Sequence, residues 1–292
     1  MESNVFFSVI LPTFNRAGKI NRAIDSVVNQ TFNNWELIII DNNSQDNTQE
    51  IVSGYKNKKI SFYKIDNEGV IATSRNFGIK KSRGHYICFL DSDDWWDSKK
   101  LELVYAKAKF GYSFIYHNHF VYAPNRLIKK RKISSKKLQK PFFSNLIKFG
   151  PSFATSSVVV NKSDFKKISF FDADKKYVAW EDFDAWLKLS KIVNSFYRIN
   201  KTLTTIYLDK TNFLNDTLKV KNINLFLKKY LSKEDEIPTW CLYNMIVAEY
   251  NLQNYEKVKK DIKNIKYLKI NFFQKLNLIR IFINIFLMKR FF

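Results

Sequence analysis

GHYICFLDSDDWW, residues 84–96, is the stretch on which the fold of this chain turns. His85–Leu90 is a short, largely apolar run rich in β-favouring residues, as expected of a strand covered on both faces. It ends in Asp91-Ser92-Asp93-Asp94. Two carboxylates one residue apart where a strand stops can share a hard divalent cation and a sugar–phosphate hydroxyl. Mg²⁺ and Mn²⁺ prefer oxygen ligands and leave positions open for phosphates. The plainer reading is that these acids face the positive N-terminus of a helix starting near Lys99. Three aspartates plus Asp97 exceed what capping needs.

Working outward, Phe6–Leu11 is a second apolar run ending at Pro12, and Trp35–Ile40 a third ending at Asp41. Ile60–Ile65 is a further strand. Between the first two, Ile20, Ala23, Ile24, Val27 and Val28 recur at helical spacing. A polar helix is expected around Asp46–Tyr55, and another through Lys81 after the turn at Asn67–Gly69. Strands alternating with helices indicate βαβ units and a parallel sheet. Functional residues in such sheets gather at the carboxyl ends of the strands, where Asp41 and the Asp91 cluster lie. Asp41 can accept a hydrogen bond from a nucleobase imide or a ribose hydroxyl, or bond its own turn. Arg75 can reach the same pocket or lie on a helix surface.

After residue 110 the pattern changes. Tyr112–Tyr122 reads as one or two strands, Phe153–Val160 as another, and Ser195–Leu208 as a strand or hairpin. Arg126–Lys140 holds eight basic residues and no acidic one, and is expected to be an exposed loop. Trp180–Lys191 reads as a helix opening with Glu181-Asp182. A carboxylate there lies near the positive helix end and can act as a general base, or simply cap the helix. His117 and His119 alternate on a strand and face one side, as packing residues or as acceptor or metal contacts. From about Asn215 onward the sequence reads as helices only, so a boundary is expected near residue 212.

The chain has 292 residues, 49 Lys plus Arg and 27 Asp plus Glu, for a formal charge of +22. Residues 1–110 carry 15 basic and 13 acidic side chains; the remaining 182 carry 34 and 14. The excess therefore belongs to the back of the chain and suggests a polyanionic partner there. Cys88 and Cys241 form neither a metal spacing nor a disulfide framework, as expected in a reducing compartment. No apolar run approaches about 18 residues, and the first residues lack signal-peptide features. A cytoplasmic protein is expected, peripheral on the inner membrane if its tail binds lipid.

SVILPTFNR (residues 8–16), WELIIIDNNSQDNT (35–48), NEGVIATSRNFGI (67–79), GHYICFLDSDDWW (84–96) and WEDFDAWLKL (180–189) together resemble family 2 glycosyltransferases of surface-polysaccharide type. The resemblance covers roughly residues 5–207. It implies an α/β GT-A fold, Rossmann-like, with a mostly parallel central sheet flanked by helices, over residues 1–212. Residues 213–292 then form an all-helical extension. It further implies metal-dependent, inverting hexosyl transfer from a nucleotide sugar, commonly a UDP-sugar, to a glycan or lipid-linked saccharide. On this resemblance Pro12, Thr13, Asp41 and Arg75 hold the nucleoside, and Asp91 contacts ribose and a Mn²⁺ or Mg²⁺. Asp93 ligates that metal, Asp182 is the base, and Glu181 binds acceptor. Relatives often carry a histidine in a Tyr-Arg-x-His-like segment; here the stretch is Ile206-Tyr207-Leu208-Asp209-Lys210, leaving Asp209 or Lys210 as substitutes.

Residues 270–292 mix Phe, Ile and Leu with Lys275, Arg280, Lys289 and Arg290. Such a helix suits an anionic membrane surface; packing within the chain or in a homodimer is the alternative. A basic nucleic-acid-binding protein would need cations interleaved with aromatics on the sheet, and the strands here are apolar. A sugar-nucleotidyltransferase would need a Gly-rich phosphate loop, and PTFNRAGK is Gly-poor.

Overall fold

The computed structural model describes residues 5–208, 215–232, 234–265 and 272–288. The boundary near 212, together with Asp209, Lys210, Lys289 and Arg290, lies outside the described residues. Two compact units emerge: Met1–Phe143 with Pro151–Asn212, and Ser144–Gly150 with Phe213–Phe292.

The first unit holds strands β1 (Phe7–Thr13), β2 (Trp35–Asp41), β3 (Ile60–Lys64), β4 (Tyr86–Phe89), β5 (Trp95–Trp96), β6 (Phe114–Tyr122), β7 (Lys130–Ile133), β8 (Val158–Asn161) and β9 (Phe196–Tyr207). They form one sheet ordered β3-β2-β1-β4-β8-β6-β9-β5, with β7 on β6. Helices α1 (Ile20–Val28), α2 (Thr48–Ser53), α3 (Ile71–Lys81), α4 (Lys100–Ala108), α6 (Lys162–Lys167) and α7 (Glu181–Ile192) belong to it, and α5 (Phe142–Phe149) runs from it into the second unit.

β1 and β2 are buried at every residue, which is why their sequences show apolar runs rather than alternation. They are parallel, in register from Phe7↔Trp35 to Thr13↔Asp41, and β4 joins β1 in parallel with Ile10↔Phe89. Strand ends therefore line up, and Asp91 emerges beside Pro12 and Thr13. α3 lies hard against this layer. A Cβ on Gly78 would stand 2.6 Å from Ile40 Cδ1 and 2.9 Å from Ile10 Cγ2, a space only glycine leaves. At β8 the pairing turns antiparallel on both sides, β8 to β4 and β8 to β6.

Of the strand or hairpin expected over Ser195–Leu208, the structure holds the strand, one long element parallel to β6 with register shifts near Asn118. One expectation needs correction. Arg126–Lys140 is not simply an exposed loop. Lys130–Ile133 pairs antiparallel with β6, and Ser135 and Leu138 are buried. Lysines are compatible with an outer strand because its backbone hydrogen bonds, not its side chains, hold it to the sheet.

The second unit contains α8 (Asp216–Tyr230), α9 (Thr239–Asn251), α10 (Tyr255–Ile265) and α11 (Phe272–Met288). Leu242, Ile246, Val258, Leu278, Ile281 and Ile285 make a core between α9, α10 and α11. Asn277 donates to Tyr243 OH at 3.1 Å, and Asn284 to Tyr250 OH at 2.9 Å. The two bonds repeat at a seven-residue interval on both helices and fix the rotation of α11. No described helix is long and apolar enough to cross a membrane.

His117 and His119 are both buried on β6. Burial holds the His119 imidazole down to about 4, from an ordinary 6.5. Its folded value lies below the unfolded one, so the unfolded chain takes the proton first and stability falls as pH drops from 6.5 toward 4. His119→Gln should flatten this loss by up to about 3 kcal/mol, read from urea melts at pH 7 and pH 4.5.

Candidate active site

The sheet brings four strand ends to one edge. Asn42 N–H donates to the Thr13 carbonyl at 2.9 Å, and Leu90 N–H to the Ile10 carbonyl at 3.1 Å. Along this edge opens a cavity of about 580 Å³. Pro12, Thr13, Arg75, Asp91, Asp93 and Glu181 all line it, although they come from both ends of the first unit's sequence. Asp41 does not: it is fully buried behind the wall, accepting from the Ser44 hydroxyl and from Ser44 N–H at 3.1 Å. Asp182 follows Glu181 at the start of α7 and is not among the lining residues either.

Arg75 is the junction. Its Nη1 donates to Glu181 Oε1 at 2.8 Å and its Nη2 to Asp91 Oδ1 at 2.9 Å. The guanidinium is 4% exposed. Burial works against its charge, but Asp91 and then Glu181 more than offset that and keep it firmly protonated. Glu181 is pushed up by burial, restrained by Arg75, and pushed further by its neighbour Asp182.

Asp93 lines the cavity two residues on from Asp91. Arg16 Nε lies 3.9 Å from Asp93 Oδ2, and Arg22 donates to the Asp93 carbonyl at 2.7 Å while its guanidinium stacks 3.7 Å over Trp95. Asp94 turns inward and accepts the Tyr207 N–H at 2.9 Å. Burial, then Asp91 and Asp93, push its carboxyl well above the usual range. Behind it Lys100, wholly buried, donates to the Ser156 carbonyl at 2.7 Å and sits 3.5 Å over Trp96; burial lowers it to about 7, with Cys88 and Asp94 opposing.

Among the described residues no three His, Cys, Asp or Glu side chains close into a metal shell. Asp91 and Asp93 nonetheless offer two carboxylates at one open edge. That is the donor set Mg²⁺ or Mn²⁺ takes when phosphates complete the shell. The crowding felt by Asp94 is negative charge that a cation would relieve. His117 and His119 do not reach the cavity. Tyr207 and Leu208 do line it.

Sequence reading missed Arg16, Arg22 and Thr155. The first two follow β1 in NRAGKINR, where the cations themselves were the available signal. Thr155 Oγ1 donates to Asp182 Oδ2 at 2.6 Å across 27 residues, and nothing in the sequence marks that pairing.

The family model for Glycosyl transferase family 2 matches residues 8–178. The chain is 31% identical over 185 residues to the UDP-Glc:alpha-D-GlcNAc-diphosphoundecaprenol beta-1,3-glucosyltransferase WfgD of Escherichia coli, covering 63% of this chain and 69% of that protein. It is 33% identical over 253 residues to an uncharacterized glycosyltransferase of Rickettsia bellii, covering 83% of this chain but only 33% of that protein. Among solved structures, Staphylococcus aureus TarS 1-349 in complex with UDP matches at TM-score 0.61 and 18% identity, over 95% of this chain and 79% of that one. The Pyrobaculum calidifontis mannosyltransferase PcManGT, in complex with GDP-Man and Mn²⁺, matches at TM-score 0.60 and 13% identity, over 96% and 85%. These likenesses show the GT-A fold.

Removing the junction should unsettle the site before any chemistry. Arg75→Met should lower unfolding free energy by roughly 3–5 kcal/mol, because buried carboxylate charge is left unpaired. Adding Glu181→Gln should recover part of the loss in the same urea melts.

Proposed function

The chain belongs to glycosyl transferase family 2, and from that premise we propose that it is an inverting, metal-assisted hexosyltransferase of surface-polysaccharide synthesis. Its donor is a nucleotide sugar, UDP-glucose first, and its acceptor a hydroxyl of a sugar carried on a polyprenyl diphosphate. The donor and acceptor follow the printed activity of the E. coli relative. The observation that carries the reading is the buried Arg75 fork, which ties a carboxylate at the donor edge, Asp91, to one at the start of α7, Glu181. Residues 1–212 are the catalytic domain in this proposal, and 213–292 a helical region that attaches it.

Pro12, Thr13, Asp41 and Arg75 hold the nucleoside end. Thr13 Oγ1 is buried without a hydrogen-bond partner, as suits a wall that meets a polar ligand. Asp41 exchanges its Ser44 bond for the base imide. Asp91 contacts ribose, and with Asp93 offers oxygens for Mn²⁺ or Mg²⁺. The cation, when bound, supplies charge that neutralises the diphosphate leaving group. Arg16, on the cavity wall beside Asp93, adds fixed positive charge at the same lip. The acceptor sugar rests against Glu181, and its hydroxyl passes a proton to Asp182 as its oxygen bonds the anomeric carbon. The bond from that carbon to the diphosphate oxygen breaks with its electron pair, so the centre inverts and the nucleoside diphosphate leaves. Nothing at this acidic edge favours the nucleic-acid or nucleotidyltransferase alternative.

A thermal-shift screen of nucleotide sugars with Mn²⁺ should give the largest rise with UDP-glucose. With GlcNAc-α-diphosphate on a synthetic alkyl chain as acceptor, Asp93→Ala should lose UDP release together with the Mn²⁺-dependent part of the shift. Asp182→Asn should keep the shift and lose turnover. Full activity in Asp93→Ala would remove the metal assignment, and loss of donor binding in Asp182→Asn would remove the base assignment.

Attachment to an anionic membrane, on its cytoplasmic face, rests on α11. Its inner arc is tied to α9, while Leu276, Ile279, Phe282 and Ile283 are exposed, with Lys275 and Arg280 on the helix beside them. Residues 262–292 contain seven basic and no acidic side chains. An apolar arc among cations fits a lipid headgroup layer, each cation adding about 1 kcal/mol. Ile279→Asn with Phe282→Asn should release the protein from phosphatidylglycerol vesicles in 0.1 M salt. Unchanged sedimentation with vesicles, or a concentration-dependent dimer lost in the variant, would instead assign the arc to a second copy of the chain.

A further inference from the structure

Thr155, Ser156 and Ser157 form a single 3-10 turn just before β8. All three are buried. Three donors converge on the Ser156 carbonyl: Trp96 Nε1 at 3.0 Å, Lys100 Nζ at 2.7 Å and Thr204 Oγ1 at 3.1 Å. They come from β5, α4 and β9, so the turn is held from three sides. The Ser156 hydroxyl in turn accepts the Asp91 N–H at 3.0 Å. One residue earlier, Thr155 Oγ1 donates to Asp182 Oδ2 at 2.6 Å. Two consecutive side chains of one fixed turn thus hold the donor-edge aspartate by its backbone and the α7 aspartate by its carboxylate.

We infer that Thr155 is the positioning residue for Asp182, setting the plane of its carboxylate against the acceptor. This rests on Asp182 being the base. An aspartate side chain has only two rotatable bonds, and here each oxygen is tied: Oδ2 by Thr155, Oδ1 by the Phe183 N–H at 2.6 Å. Each oxygen keeps a lone pair for the acceptor proton. The backbone bond belongs to the helix start and comes with any residue at 183. The Thr155 bond is the one the tertiary fold adds. Two charges bear on Asp182, Arg75 from α3 in attraction and Glu181 beside it in repulsion. Neither fixes its rotation, because no hydrogen bond joins either to the Asp182 carboxylate among the bonds described for them.

Removing the Thr155 hydroxyl frees the rotation of the Asp182 carboxylate. Thr155→Val, which keeps the shape, should therefore lower kcat by roughly tenfold or more. The donor KM and the donor-induced thermal shift should stay as in the unaltered chain. Thr155→Ser keeps the hydroxyl and should restore kcat. The assay is UDP release with the preferred donor and the GlcNAc-α-diphosphate alkyl acceptor, run beside Asp182→Asn. If Asp182→Asn is inactive while Thr155→Val keeps its kcat, the positioning role alone is wrong. If Asp182→Asn turns over normally, the base assignment fails and this role fails with it. Should Thr155→Val not fold, as judged by loss of the donor-induced shift, Thr155→Ala is read in its place against the same two outcomes.

Discussion

A guanidinium enclosed between two carboxylates is the constraint on which this site depends. Arg75 cannot give up its charge, so burying it requires anions at hydrogen-bond distance. Asp91 and Glu181 provide them from positions 16 and 106 residues away in sequence. The planar fork dictates more than their presence: it sets the direction from which each approaches. A strand end and a helix start are thereby held at a fixed spacing across the cavity. The three charges leave one negative charge uncompensated, and Asp93 and Asp94 add to it. The edge is therefore acidic, with Arg16 and Arg75 as cations on the same cavity wall.

The sheet supplies the platform for that junction through a change of direction. Parallel strands β1, β2 and β4 deliver their carboxyl ends to one line, and glycine at position 78 lets α3 lie directly on them with Arg75 three residues earlier. Antiparallel β8 then runs beside β4, which places the turn before it, residues 155–157, against Asp91. The turn's own rigidity comes from buried donors, one of them the lysine at 100, whose ammonium has exchanged water for a carbonyl and the face of an indole.

Charge was the most conspicuous property of the chain and proved a poor guide until it was located. The sheet edge with the cavity is acidic around a few placed cations. Part of the excess of lysine and arginine lies on an outer strand, β7, whose cations face water, and part in residues 213–292. In the second unit, two Asn–Tyr hydrogen bonds decide which face of α11 is packed, and so which apolar residues are left outside. A helix that is apolar nearly all round could have packed on either face; these two polar bonds select one.

The order of the helices and of β1 to β4 in the first hundred residues, the parallel core and the strand-end acids follow from the sequence alone, because fully buried strands write themselves as apolar runs. The family motifs likewise carried Pro12, Thr13, Arg75, Asp91, Asp93 and Glu181, which the cavity wall brings together. Local pattern was silent on the rest. Lysines concealed β7, since an edge strand is held by backbone bonds that do not depend on side-chain type. Strand and hairpin stayed open for β9 because its polar residues interrupt the apolar period. Asp41 faces inward toward Ser44, and Thr155 meets Asp182, through contacts between segments that periodicity cannot relate. What the sequence determined was which groups could do chemistry; their distances, their pairing through Arg75 and the turn that binds Asp91 to Asp182 were decided by tertiary structure, because hydrogen bonds between remote segments exist only once the chain has closed around them.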